Sequence, residues 1–486
     1  MKKRTKDILI MIVCMLTIGA ILAIIIPNSI ILQGDTFWHI KNGEWIINNH
    51  SIPNKDHFSY HKDLNFISHE WLFDLLIYFI SKGGTLAVNM YAILTVGFSY
   101  AYVIFRSKDS NKWLFRAGTL FVLTLVGFYK GIMAIPDTIG AIVLVAMAVN
   151  IIENRTFRVK LIVNSILSAF LVNFQGGMMS AGIVQTVFLM GLPVATNWLT
   201  RKPMKEEVKK CVCMVGTALI SSLLNPYGIK VFKYGFMMST DASKFIFDWQ
   251  PYSFKTTASI LIVLILVGLA LYGSYLHHSK VTLDLRIATL FYYFVILFNY
   301  QRAVNIFSFG LMIIVGDYIY MAIKDLLDKC QRKCCKIVTY GIEVTLGALV
   351  VVCMVGGIRG ISIPNQTLTE YLTENYISAD TQEYIRDKRV FNIVDYGGHL
   401  EYLNIPAFID GRVDVYTPEY GNPDIFTDCI KALHSDELMV EISKKYNFTV
   451  LVLESNTTVA QIFVTSPNWK VIEYNQNTII LERNLY

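Results

Sequence analysis

The chain has 486 residues, 54% of them hydrophobic and only 16% charged, with a formal net charge of +6 and a mean hydropathy of +0.45. Soluble globular chains carry roughly 25% charged residues, so this shortfall excludes a water-soluble enzyme, and the apolar content excludes disorder. A polytopic membrane protein remains. Its small net charge is no nucleic-acid signal, and no nucleic-acid partner is expected.

A helix that crosses a bilayer needs about 20 mostly apolar residues. Eleven runs approach that requirement: 8–32, 84–105, 113–129, 136–152, 159–173, 180–199, 208–224, 256–276, 287–300, 304–322 and 337–358. The first run is too long for a signal peptide and no small-residue cleavage site follows it, so it reads as a true span.

Lys and Arg set the orientation. With a cytoplasmic N-terminus, the inside segments hold Lys2, Lys3, Arg4 and Lys6, then Arg106, Lys108, Lys112 and Arg116, then Arg155, Arg158 and Lys160. Arg201, Lys202, Lys205, Lys209 and Lys210 follow, then Lys280 and Arg286, and finally Lys324, Lys329, Arg332, Lys333 and Lys336. Two outside loops, around Asn173–Met178 and Tyr300–Ala303, hold one Arg between them. An odd number of spans puts residues 359–486 outside.

After Arg359 the apolar runs shorten to strand length, at Val390–Val394, Phe448–Leu453, Lys470–Tyr474 and Thr478–Glu482. Helical patterns lie between them, at Thr367–Lys388 and Asp424–Tyr446, and Asn475-Gln476-Asn477 reads as a hairpin turn. The expected architecture is a polytopic α-helical membrane bundle of about 11 spans (1–358) carrying a C-terminal extracytoplasmic α/β domain (359–486). Of the eight cysteines only Cys429 falls outside, so that domain holds no internal disulfide; Cys330, Cys334 and Cys335 sit in a basic inside loop.

The longest outside loop of the bundle, 33–83, begins Gly34-Asp35-Thr36-Phe37-Trp38-His39. It continues through Glu44-Trp45 and Ile52-Pro53-Asn54-Lys55-Asp56-His57-Phe58-Ser59 to His69-Glu70-Trp71-Leu72. Its many aromatics suit helices lying at the headgroup level. Carboxylates at an apolar membrane edge call for a binding or reacting role; alternatively, Asp35 caps a helix beginning at Thr36. His57, His61 and His69 lack metal-ligand spacing and read as solvated.

These residues resemble the GT-C fold class of membrane glycosyltransferases, which includes protein O-mannosyltransferases, the lipid A aminoarabinose transferase and oligosaccharyltransferase catalytic subunits. The wording is similar to a group of bacterial GT-C-like membrane proteins patterned D-T-W-W-H, G, I-P, D-x-F-S, E-W-L. Asn173-Phe174-Gln175-Gly176-Gly177 resembles their N-x-H-G-G turn, with Gln175 departing at the His. Asn225-Pro226-Tyr227-Gly228, Arg302, Asp395-Tyr396-Gly397-Gly398 and Phe408-Ile409-Asp410-Gly411-Arg412 follow in order.

The resemblance implies sugar transfer from a polyprenyl-phosphate-linked donor, held among membrane lipids, to an extracytoplasmic glycan, lipid or protein acceptor. The acceptor must lose a proton, so a carboxylate base is required. Asp35 is the first candidate, with Glu70 and Asp56 behind it. His39, one helical turn on, shares its face. The leaving phosphate needs positive charge or a metal: Arg302 is the best-placed cation, although snorkelling to the headgroups is its simpler role. Lys130 beside Asp137, and Asn173 and Gln175, complete the expected binding residues of the bundle. Asp35, Asp56, Glu70 and Asp137 form a candidate hard-oxygen set for a divalent cation such as Mg or Mn, with Asp35 and Asp137 its foremost members. In the outer domain, Asp395, Asp410 and Arg412 are candidates for acceptor binding, glycines after a strand allowing close backbone approach to a ligand; an Asp410–Arg412–Asp414 network holding the domain's own turns is the bland alternative.

A non-catalytic reading also stands: a transport or cell-envelope assembly protein with a ligand-binding outer domain. Transporters place charge at mid-membrane, whereas this chain places it at the outer rim.

Overall fold

The computed structural model describes residues 2–236, 244–246, 249–279, 284–329, 347, 349–353 and 365–484. Lys280, the basic cysteine loop 330–336 and most of the run 337–358 lie outside these residues. Helices α1 (Lys2–Ile25), α2 (Gly34–Asn49), α3 (Trp71–Ser81), α4 (Gly84–Phe105), α5 (Ser110–Leu125), α6 (Asp137–Ile152) and α7 (Phe157–Phe174) open the chain. There follow α8 (Met179–Leu199), α9 (Lys205–Ser222), α10 (Lys230–Phe236), α11 (Thr257–His278) and α12 (Leu285–Asn299). Then α13 (Val304–Gly310) passes through a π turn, Leu311–Val315, into α14 (Gly316–Lys329).

Among the described residues, six helical stretches are long and apolar enough to cross a membrane: Lys3–Asn28, Gly84–Phe105, Phe157–Phe174, Gly176–Leu199, Thr257–His278 and Gln301–Lys329. Trp71–Ser81, Asp137–Ile152 and Leu285–Asn299 are apolar but shorter. The chain is a multi-pass membrane protein. Among the described residues, ten of the eleven apolar runs fall on helices, because apolar runs of this length satisfy their backbone polar groups only by coiling.

The C-terminal segment holds α15 (Leu368–Asn375), α16 (Ala379–Ile385), β1 (Val390–Asn392), α17 (Val394–Tyr402), α18 (Ile425–Ala432) and α19 (Asp436–Tyr446). β2 (Val450–Glu454), α20 (Thr458–Val464), β3 (Trp469–Tyr474) and β4 (Thr478–Arg483) complete it. Each long helical pattern read from the sequence is in fact two helices, because Ser378 and Ser435 cap new ones: their hydroxyls accept from the backbone N–H of Thr381 and Leu438. The sheet runs β1-β2-β4-β3, with β1 parallel to β2 and the other pairs antiparallel. The hairpin turn lies at Asn475–Asn477 as expected: Asn475 N–H donates to Thr478 O at 3.0 Å, and Asn475 Oδ1 accepts from Asn477 N and Thr478 N.

The first loop does not stand apart from this segment. Leu64 and Phe66 lie in the same apolar core as Phe391, Phe408, Phe448 and Leu451. Ser59 bridges Ala407 in parallel fashion, and Lys41 Nζ donates to Asn404 Oδ1 at 2.6 Å. Five of the loop aromatics are therefore packing residues: Phe37 and Phe73 are fully buried, and Trp38, Phe58 and Phe66 nearly so. These five side chains are covered by protein, whereas Trp45, Tyr60, Trp71 and Tyr78 are only partly buried.

Candidate active site

Helix α2 begins at Gly34, with Gln33 at the N-cap. Asp35 is thus in the first turn and does not cap; its Oδ1 accepts from the indole N–H of Trp38 at 3.1 Å. A carboxylate there interacts favourably with the helix dipole. One turn on, His39 Nδ1 donates to Asp74 Oδ1 at 2.5 Å. Asp74 Oδ2 accepts from Asn42 Nδ2 at 2.6 Å and from Ser68 Oγ at 3.0 Å. Gly43 admits this crossing of α2 and α3, for a Cβ there would meet Asp74 O at 2.1 Å.

Glu70 lies between two imidazoles, 3.5 Å from His39 Nε2 and 3.7 Å from His69 Nε2. Burial, then the charges of Asp74 and Asp137, push the Glu70 carboxyl well above its usual range. His69 is driven down to about 3, first by burial, so it stays neutral. Its Nδ1 donates to Ile67 O at 3.2 Å, which leaves Nε2 as an acceptor facing Glu70. Burial also raises Asp35, opposed by His39, Trp38 and Arg302 and reinforced by Asp410.

Arg302 sits in the short turn Gln301–Ala303 between α12 and α13, its guanidinium 6.0 Å from the Trp249 ring centre. Its charge reaches Asp35, Glu70, His69 and Asp137. Asp137 is a partner of Lys130 at 2.5 Å, as their proximity in sequence suggests, and also of Gln175 Nε2 at 2.6 Å. Gln175, where the resembling proteins carry His, therefore serves as a hydrogen-bond donor to a carboxylate.

The short motifs converge on residues 67–71. Gly176 N donates to His69 O at 3.2 Å, and Asn173 Oδ1 accepts from the Trp71 indole at 2.7 Å. Tyr227 OH donates to Pro53 O at 2.5 Å and accepts from Ser68 N at 2.9 Å. Asn173 and Gln175 thus shape the rim through contacts with the protein itself.

Asp56 is not brought to Asp35. Its carboxylate lies 2.9 Å from Arg412 Nη2 and accepts from Ser59 N and Oγ at 3.0 and 2.5 Å. Arg412 also meets Glu401 at 3.1 Å and Asp410 at 2.5 Å, and Tyr416 OH donates to Asp410. This buried network exists, but with Asp56, Glu401 and Tyr416 as members instead of Asp414. Burial and Asp410 push Glu401 well up, whereas Arg412 holds Asp410 below its usual range against burial. Asp395 lies on α17, with its backbone carbonyl against Gly34; the Gly397-Gly398 pair lies within that helix instead of in the expected turn, and packs against Ile409 O and Gly34 O. His61 is not solvated either: its Nε2 donates to Phe408 O at 2.8 Å.

Asp35, Asp56, Glu70 and Asp137 do not assemble, and among the described residues no group of three His, Cys, Asp or Glu side chains is arranged to hold a metal ion. Asp56 is turned to Arg412, and Asp137 already has a Lys and a Gln on its oxygens. Sequence reasoning missed Asp74 as the partner of His39, although His39 and Asn42 stand at i and i+3 on one helix face.

No family model matches the chain. No curated protein matches it in sequence. Solved structures do match in fold. An archaeal oligosaccharyltransferase, AglB from Archaeoglobus fulgidus, in complex with an inhibitory peptide and a dolichol-phosphate, aligns at TM-score 0.56 and 11% identity, over 93% of this chain and 70% of that one. The A. fulgidus oligosaccharyltransferase tethered to an acceptor peptide aligns at TM-score 0.51 and 12% identity, over 90% and 68%. ArnT from Cupriavidus metallidurans, bound to undecaprenyl phosphate, aligns at TM-score 0.42 and 11% identity, over 98% and 97%. The chain has the GT-C fold of membrane glycosyltransferases.

Proposed function

We propose that the protein transfers a sugar from a polyprenyl-phosphate-linked donor to a hydroxyl or amine of an acceptor on the outer face of the membrane. The observation that carries this reading is the placement of Asp35 in the first turn of α2, just beyond the first long apolar helix and within electrostatic reach of Arg302. The similar oligosaccharyltransferase in complex with a dolichol-phosphate supports a lipid phosphate as the partner.

In this reaction the acceptor attacks the anomeric carbon and its proton passes to Asp35. The new glycosidic bond forms as the bond from the anomeric carbon to the phosphate oxygen breaks, and the lipid phosphate departs. Burial makes Asp35 a better proton acceptor than an exposed carboxylate. Arg302 neutralises the leaving phosphate, with Lys130 tied to Asp137 at the same rim. The clustering of Lys and Arg in alternate loops supports a cytoplasmic N-terminus and a C-terminal segment outside.

The test is reconstitution of the purified protein in proteoliposomes with a panel of undecaprenyl-phosphate monosaccharides, reading release of undecaprenyl phosphate. Asp35→Asn keeps the size and loses the basicity, and turnover falls at least about 100-fold. Wild-type turnover in Asp35→Asn would overturn Asp35 as the base.

A further inference from the structure

The Asp410-Gly411-Arg412 motif belongs to the C-terminal segment and supplies no group to the proton transfer or to the leaving phosphate. It nevertheless touches Asp35. A Cβ built on Gly411 would lie 1.8 Å from Asp35 Oδ1, 3.0 Å from its Cγ and 3.1 Å from Trp38 Nε1. The Asp35 carboxylate and the Trp38 indole occupy the space that any side chain at 411 would need. The oxygen involved is the same Oδ1 that accepts from Trp38. It is confined between the indole of its own helix and the bare α-carbon of Gly411.

The frame around this contact is built without slack. A Cβ on Gly34 would meet Asp395 O at 2.2 Å, and one on Gly398 would meet Gly34 O at 2.0 Å. The first turn of α2 is therefore pressed backbone to backbone on α17. A Cβ on Gly397 would meet Ile409 O at 2.1 Å, so α17 rests in the same way on the irregular segment that leads into Gly411. On the other side of Gly411, Arg412 is locked by Asp56, Glu401 and Asp410, all fully buried. Both flanks of Gly411 are thus packed against neighbouring groups, and the Arg412 guanidinium lies 5.8 Å from the Trp38 ring centre.

We propose that the Asp410-Gly411-Arg412 loop is part of the sugar-transfer site, with Gly411 the positioning residue that sets the direction of the Asp35 carboxylate. This rests on the reading of Asp35 as the base. It gives the C-terminal segment a role in the reaction itself: docked, it aims Asp35 toward the acceptor, and a misaimed base costs rate because reacting atoms must be aligned to within about an ångström.

The experiment compares full-length wild type, Gly411→Ala, Asp35→Ala and the double variant. Melting temperature, affinity for undecaprenyl phosphate and turnover of the active donor are measured for each. Gly411→Ala lowers turnover at least about 100-fold while its Kd for undecaprenyl phosphate stays within about twofold of wild type. Its melting loss falls to less than about half when Asp35 is already Ala, because the two positions share one space. Equal melting losses in both backgrounds, or wild-type turnover by Gly411→Ala, would overturn the proposal. The melting arm needs no donor. Coupling between the two positions in a protein that turns over no donor would locate the failure in the transfer reading and overturn the positioning role with it.

Discussion

His39 donates its Nδ1–H to Asp74 Oδ1, at 2.5 Å, and so presents Nε2 to Glu70 at 3.5 Å. Asp74 is saturated by His39, Asn42 and Ser68, which makes it an orienting group and no base. Asp74→Asn offers an amide where a carboxylate stood, and the favoured imidazole tautomer then changes. Nitrogen NMR on 15N-histidine protein should show His39 as the Nδ1–H tautomer in wild type and not in Asp74→Asn. Turnover in that variant should fall at least about tenfold; an unchanged tautomer would remove Asp74 from its orienting role.

Arg302 tests the phosphate site. A guanidinium grips phosphate oxygens through a planar fork that an ammonium cannot reproduce. Arg302→Lys should therefore lower turnover clearly, by about tenfold or more, since charge-assisted bonds of this type contribute about 1.5–3 kcal/mol. A snorkelling role predicts the opposite, because both side chains reach the headgroups. Donor affinity and turnover at equal expression decide between them.

Glu70 predicts a pH dependence of stability. Its folded-state carboxyl holds a proton well above the usual range, from burial first and the neighbouring carboxylates second. The folded state binds more protons than the unfolded state as pH rises past the ordinary glutamate value, so stability falls through that window. Glu70→Gln keeps the neutral shape and should flatten this decline, with higher melting temperatures than wild type at pH 7 and above. Melting curves from pH 4 to 9 would show it; parallel curves for the two proteins would refute the protonated state.

Among the described residues, Arg412 is the cation that pairs with Asp56, Glu401 and Asp410. Arg412→Ala leaves buried carboxylates without their partner, a loss of about 3–5 kcal/mol. The C-terminal segment should then detach from the first loop, seen as protease cleavage within 53–66 where wild type is protected. Protection equal to wild type would show that the apolar core at Leu64 and Phe66 alone holds the two together.

Much of this was legible in the chain. Gly84–Phe105 matches its apolar run residue for residue, and the Asn475–Asn477 turn lies where its residues place it. Lys130 meets Asp137 because seven residues at a helix entrance bring them together. Asp35, Glu70 and Arg302 are candidates from the sequence alone, and the fold brings them into one electrostatic neighbourhood.

Hydropathy and charge by themselves determined a multi-pass helical protein with a small α/β tail, because backbone satisfaction in lipid and loop charge act locally along the chain. Tertiary structure alone decided which carboxylates face each other. Asp56 lies 21 residues from Asp35 yet pairs with Arg412, and Gly411 reaches Asp35 across more than 370 residues. A glycine that makes room for a carboxylate looks the same in sequence as one that makes a turn. Only the close approach of two backbones, set by the docking of α17 on α2, distinguishes them.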